Sequence, residues 1–247
     1  MARKLVLMLM PFVALATAGI AAAANGGFTP PPAHSPNARH INSAYYVVAA
    51  FTAAIFVIVQ TVLIVFIWKY RSRGRPREVE GAQVHGHTRL ELIWTGLPVI
   101  ILCIIGVFIF WQLPKIASVP AASASTRLNV TVEGHQFYWQ FDYPNGARSI
   151  GELHVPAGRV VYLTITSPDV PHSWWVPQLG GKTDAIPGRT NHTWFKADRV
   201  GTYIGQCAEF CGVFHEGMRA TVIATSEADY QSWLAGPATT DLGRAEF

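Results

Sequence analysis

The sequence predicts a membrane hairpin of two helices followed by an all-β sandwich or barrel. Three observations carry this. Residues 41–68 and 92–113 are apolar runs of 28 and 22 residues without a charge, each exceeding the roughly 20 residues needed to cross a bilayer core. Between them lie Lys69, Arg71, Arg73, Arg75 and Arg77, the positive-inside pattern of a cytoplasmic loop. From residue 128 onward, short segments of alternating polarity are separated by Pro, Gly and Asn turns.

The elements follow in order. Residues 1–24 read as a secretory signal peptide: Arg3 and Lys4, a short apolar stretch, then an Ala-x-Ala site at residues 22–24. Pro11 and the short length argue against a spanning helix there. Residues 25–40, rich in Pro and small polar residues, form an N-terminal arm. The hairpin occupies 41–113, with a basic cytoplasmic loop at 69–91. Trp68 and Tyr70 end its first run, and Trp94 and Trp111 bracket the second, as interfacial aromatics do. Pro98 is expected near the start of the second helix. Residues 114–126 are a linker, 127–235 the β-domain and 236–247 a tail. Within the β-domain, strands are expected at 128–133, 135–143, 159–166, 190–196, 202–206 and 219–224. One helix is expected over 226–234, capped by Ser226 with Asp229 three residues on.

With 50% hydrophobic and 14% charged residues, the chain is not an intrinsically disordered one. Its net charge of +4 would suit nucleic acid, but the distribution does not. Residues 126–247 hold nine Lys/Arg against twelve Asp/Glu, and the basic excess sits beside the membrane runs. The charge belongs to topology. The hairpin therefore implies a multi-pass protein of a bacterial-type plasma membrane, with its β-domain on the extracytoplasmic side.

The segment from Cys207 to Met218 carries the chemistry: Cys207, Glu209, Cys211, His215 and Met218 lie within twelve residues. A further imidazole is available at His172, in Asp169-Val-Pro-His172. Soft sulfur with imidazole selects copper or zinc, and a thioether favours copper. A mononuclear blue-copper plan needs one Cys, two His and a weak Met, and here there is one Cys more. Two thiolates can bridge two coppers, with His172 and His215 completing one each, Met218 as a weak ligand and the Glu209 carbonyl as another. A structural zinc site prefers four ligands in two-plus-two spacing, and a Cys-x3-Cys disulfide is geometrically open. Neither accounts for His172, His215 and Met218 together. Cys103 reads as a buried apolar thiol, and His34, His40, His85, His87, His154 and His192 as surface or structural side chains.

This loop resembles the binuclear CuA loop of subunit II of haem-copper cytochrome c oxidases. Similar segments are His87-Thr-Arg-Leu-Glu91-Leu-Ile-Trp94-Thr-Gly-Leu-Pro98, Gly134-His-Gln-Phe-Tyr-Trp139 and Lys182-Thr-Asp-Ala-Ile-Pro-Gly-Arg189. The resemblance spans residues 43–234. It implies a cupredoxin fold that takes electrons from cytochrome c and delivers them to haem in subunit I. Oxygen reduction and proton translocation then occur in that partner, with no catalytic residue in this chain and other oxidase subunits alongside. By the same resemblance Cys207 and Cys211 bridge two coppers, His172 and Met218 complete one, and His215 with the Glu209 carbonyl the other. The resemblance also implies that the Glu209 carboxylate would help hold magnesium at the subunit I interface. Glu91 matches a glutamate near a proton-uptake opening, and a helix-start acid favoured by the dipole reads equally well. Asp184 and Arg189 would face subunit I, or pair with each other in a turn.

One position departs from the family. A tryptophan usually follows His-Gln and receives the electron; here it is Phe137, a smaller π surface without an indole N–H. Tyr138 and Trp139 are the neighbouring candidates, with alternation sending Tyr138 to the face opposite Phe137. Asp142 and Glu152 are candidate docking acids for a basic donor. Other classes would read differently: a quinol-oxidase subunit would not need the copper donors, a nitrous oxide reductase would need a large extra domain, and a copper-storage module would need ligands that release metal.

Overall fold

The computed structural model describes residues 29–71, 83 and 85–236. The expected signal peptide, the first residues of the arm, most of the basic loop (Arg73, Arg75 and Arg77 included) and the tail beyond Gly236 lie outside the described residues. The chain divides into two compact units, one of Ser43–Pro114 and the other of the segments on either side.

The first unit is built on α1 (Pro36–Tyr70) and α2 (Thr88–Ala117), which contain the two apolar runs and extend past both ends of each. At 1.5 Å per residue they measure roughly 50 and 45 Å, more than the roughly 30 Å of a hydrocarbon core. Their large side chains are exposed: Ile67 is 69% accessible, Leu102 66% and Phe110 73%. Such surface in water would be strongly unfavourable, so lipid is its solvent. Pro98 sits in the interior of α2, because the helix starts upstream through polar residues at Thr88. Cys103 is exposed on this surface rather than buried. Glu91 closes a capping box at the start of α2. Its Oε1 accepts from the His87 N–H at 3.1 Å, while His87 Nδ1 accepts from Leu90 N–H at 3.2 Å.

The second unit is a β-sandwich. Its strands are β1 (Leu128–His135), β2 (Tyr138–Asp142), β3 (Arg148–Ile150), β4 (Glu152–Pro156), β5 (Val161–Thr166), β6 (His172–Trp175), β7 (Thr183–Ala185), β8 (Asn191–Phe195), β9 (Gly201–Cys207) and β10 (Arg219–Thr225). One sheet runs β3-β2-β1-β5-β8 and the other β4-β10-β9-β6-β7. Burial alternates as a two-sheet core demands: Val130 and Val132 of β1, Leu163 and Ile165 of β5, and Ala220, Val222 and Ala224 of β10 point inward. The predicted strand over 135–143 is two pieces. β1 continues through His135, which pairs with Tyr138, and the chain reverses at Gln136 and Phe137. That reversal carries no Gly, Asn or Pro, so no turn signal marks it. The short strands β3, β4, β6 and β7 had no alternating run long enough to announce them.

The closing helix α3 (Glu227–Ala235) is capped as read, with Ser226 Oγ accepting from Asp229 N–H at 3.1 Å. It packs through Tyr230 and Trp233, the latter stacked on His154 with centroids 4.4 Å apart. The arm is more ordered than a linker. His34 donates from N–H to the Gln178 carbonyl at 2.8 Å and accepts at its own carbonyl from Asp198 N–H at 2.9 Å. Asn37 is buried and its Nδ2 donates to the Trp194 carbonyl at 2.5 Å; Arg39 pairs with Asp198. The linker is also partly regular: α2 runs through Pro114 to Ala117, and a 3₁₀ turn follows at Ala121–Ser123.

Strand β9 is squeezed at Gly205, where an added Cβ would lie 2.2 Å from the Trp175 carbonyl oxygen and 2.8 Å from that of Ala220. Both obstacles are backbone. Gly205→Ala is therefore expected to destabilise the sandwich by about 1–3 kcal/mol, read as a lower midpoint in thermal unfolding followed by circular dichroism.

Candidate metal centre

Two neighbouring strands bring the donors together. β6 starts at His172, and β9 ends at Cys207 with Trp174 paired opposite it. The loop that follows is tied at its neck: Cys207 N–H donates to the Met218 carbonyl at 2.9 Å, and Ala208 N–H to the Ser173 carbonyl at 2.8 Å. A 3₁₀ turn over His215–Gly217 then returns the chain into β10. The loop is thus a hairpin end folded onto the strand that carries His172.

Within this closure the donors stand close. Cys207 Sγ is 4.0 Å from Cys211 Sγ, 3.9 Å from His172 Nδ1 and 3.2 Å from the Glu209 carbonyl oxygen. Cys211 Sγ is 3.6 Å from His215 Nδ1 and 3.8 Å from Met218 Sδ. The donor atoms of His172, Cys207 and Cys211 all lie within 4.8 Å of one another. His172 and Met218 are fully buried and both cysteines nearly so, while the Glu209 side chain is exposed. No disulfide joins the cysteines.

The electrostatics favour a deprotonated sulfur. Burial raises the Cys207 thiol, but the His172 ring and the peptides of Glu209 and Ser173 outweigh it and bring it to about 6. Burial and the neighbouring Cys207 charge push Cys211 up to about 12. The pair alone therefore holds one negative charge, and a cation is what lets both sulfurs ionise.

His172 is oriented from behind. Its Nδ1 faces the sulfur, and its Nε2 lies 2.9 Å from Asp169 Oδ1. Burial opposes the charged forms of both partners, yet Cys207 and then Asp169 raise the His172 pKa, while the His172 contact lowers that of Asp169 to about 2, helped by N–H donors from Val170 and Gln136. A carboxylate behind a ligand imidazole fixes its tautomer and ring plane. Gly134 makes room for this ring: a Cβ there would lie 3.0 Å from His172 Cγ and from Trp139.

The aromatic candidates separate. Trp139 is buried and meets the His172 ring edge-on at 5.9 Å. Tyr138 stacks on His135 at 4.8 Å, away from the donors. Phe137 sits on the turn rather than on a strand, half-buried and edge-on to Phe214 at 5.5 Å. Phe210, Val213 and Phe214 of the loop are exposed beside it. Asp184 is not paired with Arg189. Its Oδ1 accepts from Ser173 Oγ at 2.7 Å, while the Arg189 backbone carbonyl accepts from Thr166 Oγ1 at 3.2 Å. Asp142 pairs with Arg148, and Glu152 lies 3.5 Å from His154. Glu91 belongs to the other unit. Sequence reasoning overlooked Asp169, Gln136, Gly134 and Phe214. Asp169 lies three residues before a ligand candidate, and Gly134 and Gln136 lie within the aromatic segment, but nothing in the sequence assigned them a role.

A β-sandwich with a buried sulfur–imidazole cluster at one end, carried on a chain with two apolar helices, defines a membrane-anchored cupredoxin-type protein. The family model for the periplasmic domain of cytochrome c oxidase subunit II matches residues 148–225, and that for its transmembrane domain residues 23–111. Cytochrome c oxidase subunit 2 of Alkalihalophilus pseudofirmus is 36% identical over 208 residues, covering 81% of this chain and 59% of that one. The subunit of Thermostichus vulcanus is 32% identical over 252 residues, covering 82% and 76%. The crystal structure of the periplasmic domain of subunit II of cytochrome oxidase from Bradyrhizobium japonicum aligns with a TM-score of 0.42 at 33% identity, over 43% of this chain and 90% of that one. The chain belongs to the cytochrome c oxidase subunit II family.

Asp169→Ala removes the carboxylate that holds the His172 ring. It is expected to weaken metal retention by about 10- to 100-fold, measured by competition with a chelator, while leaving the sandwich folded.

Proposed function

We propose that this chain is the electron-receiving subunit of a respiratory terminal oxidase, with a binuclear copper centre held by His172, Cys207, Glu209, Cys211, His215 and Met218. The observation that carries the reading is the chain of sulfur and imidazole donors, 3.6–4.0 Å apart around two buried cysteines. The donor set fits copper: soft thiolates and a thioether with imidazoles, and no hard oxygen except one peptide carbonyl. When bound, the copper pair would supply a one-electron relay.

The protein's share is preorganisation. The neck of the loop, closed by Cys207 and Met218, holds the sulfurs in place. Asp169 keeps His172 Nδ1 turned to the sulfur. The buried walls keep water out and the local dielectric low. Phe137 and Phe214 offer an apolar surface beside the loop to an external donor, taken as cytochrome c, and Trp139 lies beneath against His172. Asp142 would attract a basic donor only weakly, since Arg148 already pairs with it, whereas Glu152 faces His154, whose burial disfavours the charged imidazole. Asp184, Arg189 and the exposed Glu209 carboxylate are assigned to the contact with subunit I, Glu209 as an oxygen ligand for magnesium there. Delivery is to haem in that partner, where oxygen reduction is coupled to proton translocation. The charge pattern supports a cytoplasmic basic loop and an extracytoplasmic sandwich. Glu91 caps α2 through the His87 N–H and stays the candidate for proton uptake.

Reconstituting the full chain with copper is expected to yield two coppers per chain and one unpaired electron split by both nuclei in electron paramagnetic resonance. One copper with single-nucleus splitting, or zinc in its place, would overturn the binuclear reading. Phe137→Ala is expected to slow reduction by cytochrome c on the order of tenfold, about 1.4 kcal/mol, with copper content unchanged. Equal rates for the variant and the parent in stopped-flow would remove Phe137 from the electron route.

A further inference from the structure

We propose that Gln136 is a positioning residue for this centre, locking the aromatic turn and both donor-bearing loops into one rigid unit. The proposal rests on the copper reading above and adds a residue that none of the donor spacing reveals.

Gln136 binds in two directions. Its backbone N–H donates to Asp169 Oδ2 at 2.7 Å, and its side-chain Nε2 donates to the Cys211 carbonyl at 2.6 Å. These partners lie 33 and 75 residues away in sequence, on different loops. The other Asp169 oxygen, Oδ1, is the one that faces His172 Nε2. One residue therefore grips the peptide of one sulfur donor and the carboxylate behind one imidazole donor. The orientation of the amide follows from chemistry: the Cys211 carbonyl can only accept, so the nitrogen must face it.

The neighbouring Gly212 supports the same conclusion independently. Its φ of +138° suits glycine, and an added Cβ would lie 2.9 Å from Phe137 Cε1 and 3.1 Å from Gln136 Nε2. The side chains of the turn thus lie directly against the bare backbone of Gly212. With Cys211 O held, the Cys211 sulfur keeps its aim between Cys207, His215 and Met218, and Phe137 keeps its seat against Phe214. Without that bond, nothing else among the described hydrogen bonds joins the turn to the Cys211 loop.

The test uses the full chain in detergent with two variants. Gln136→Leu removes the donor and keeps bulk; Gln136→Glu keeps shape and cannot donate to a carbonyl when ionised. Both leave the backbone bond to Asp169 in place. Expected for both are copper loss to a chelator about 10- to 100-fold faster and unequal splitting by the two nuclei, with an unchanged thermal midpoint of the metal-free chain. Parental retention and spectrum in both variants would overturn the proposal alone. A fall in the metal-free midpoint of both would also overturn it, assigning Gln136 to the fold instead. A parent chain that retains no copper would overturn the copper reading, and this proposal with it.

Discussion

The closure of the Cys207–Met218 loop on the end of β6 is the constraint on which the site depends. A loop bearing two thiols, an imidazole and a thioether is of little use if it can breathe, because each donor then samples many directions. Here the backbone removes that freedom before any metal arrives. Cys207 N–H and the Met218 carbonyl close the neck, and Ala208 N–H ties it to Ser173, the residue after His172. Both strands of the hairpin are interior strands of their sheet. Opening the loop would thus strain the β9–β10 and β6–β9 ladders together.

Around that closure the structure solves an electrostatic problem. Buried sulfur resists ionising, and a buried imidazole resists a proton. Asp169 and His172 answer each other's burial, and Cys207 gains from the His172 ring next to it. Cys211 does not share in this gain, since its neighbour already holds the charge. The result is a cluster whose unsatisfied demand is for positive charge at the sulfurs. Glycines set how closely the pieces meet: Gly134 under the His172 ring, and Gly212 under Phe137 and Gln136.

The membrane unit obeys a different solvent. Its helices keep Leu, Ile, Val and Phe outward, and their polar exceptions are few. Gln112, for example, is buried and reaches Ser43 Oγ at 3.5 Å. The capping box of His87 and Glu91 shows how an acid at a helix start has a structural use of its own.

The fold class, both apolar helices and the sulfur and imidazole groups that cluster at the end of the sandwich were legible in the sequence, for physical reasons. Bilayer thickness demands a minimum apolar length, inward-facing strands demand period two, and soft metals demand sulfur and imidazole. Ser226 and Asp229 announced α3 because capping is a local interaction. What stayed hidden was non-local. The turn at Gln136 and Phe137 has no local turn chemistry and is held by partners on other loops. The arm looked like a linker because its partners, Gln178, Trp194 and Asp198, lie more than 140 residues away. Composition and spacing thus determined which atoms this chain offers to a metal and to a membrane. Only the tertiary structure decided which carboxylate stands behind His172, which ring faces outward and which glutamine joins the loops, because those choices depend on packing between segments that the sequence keeps apart.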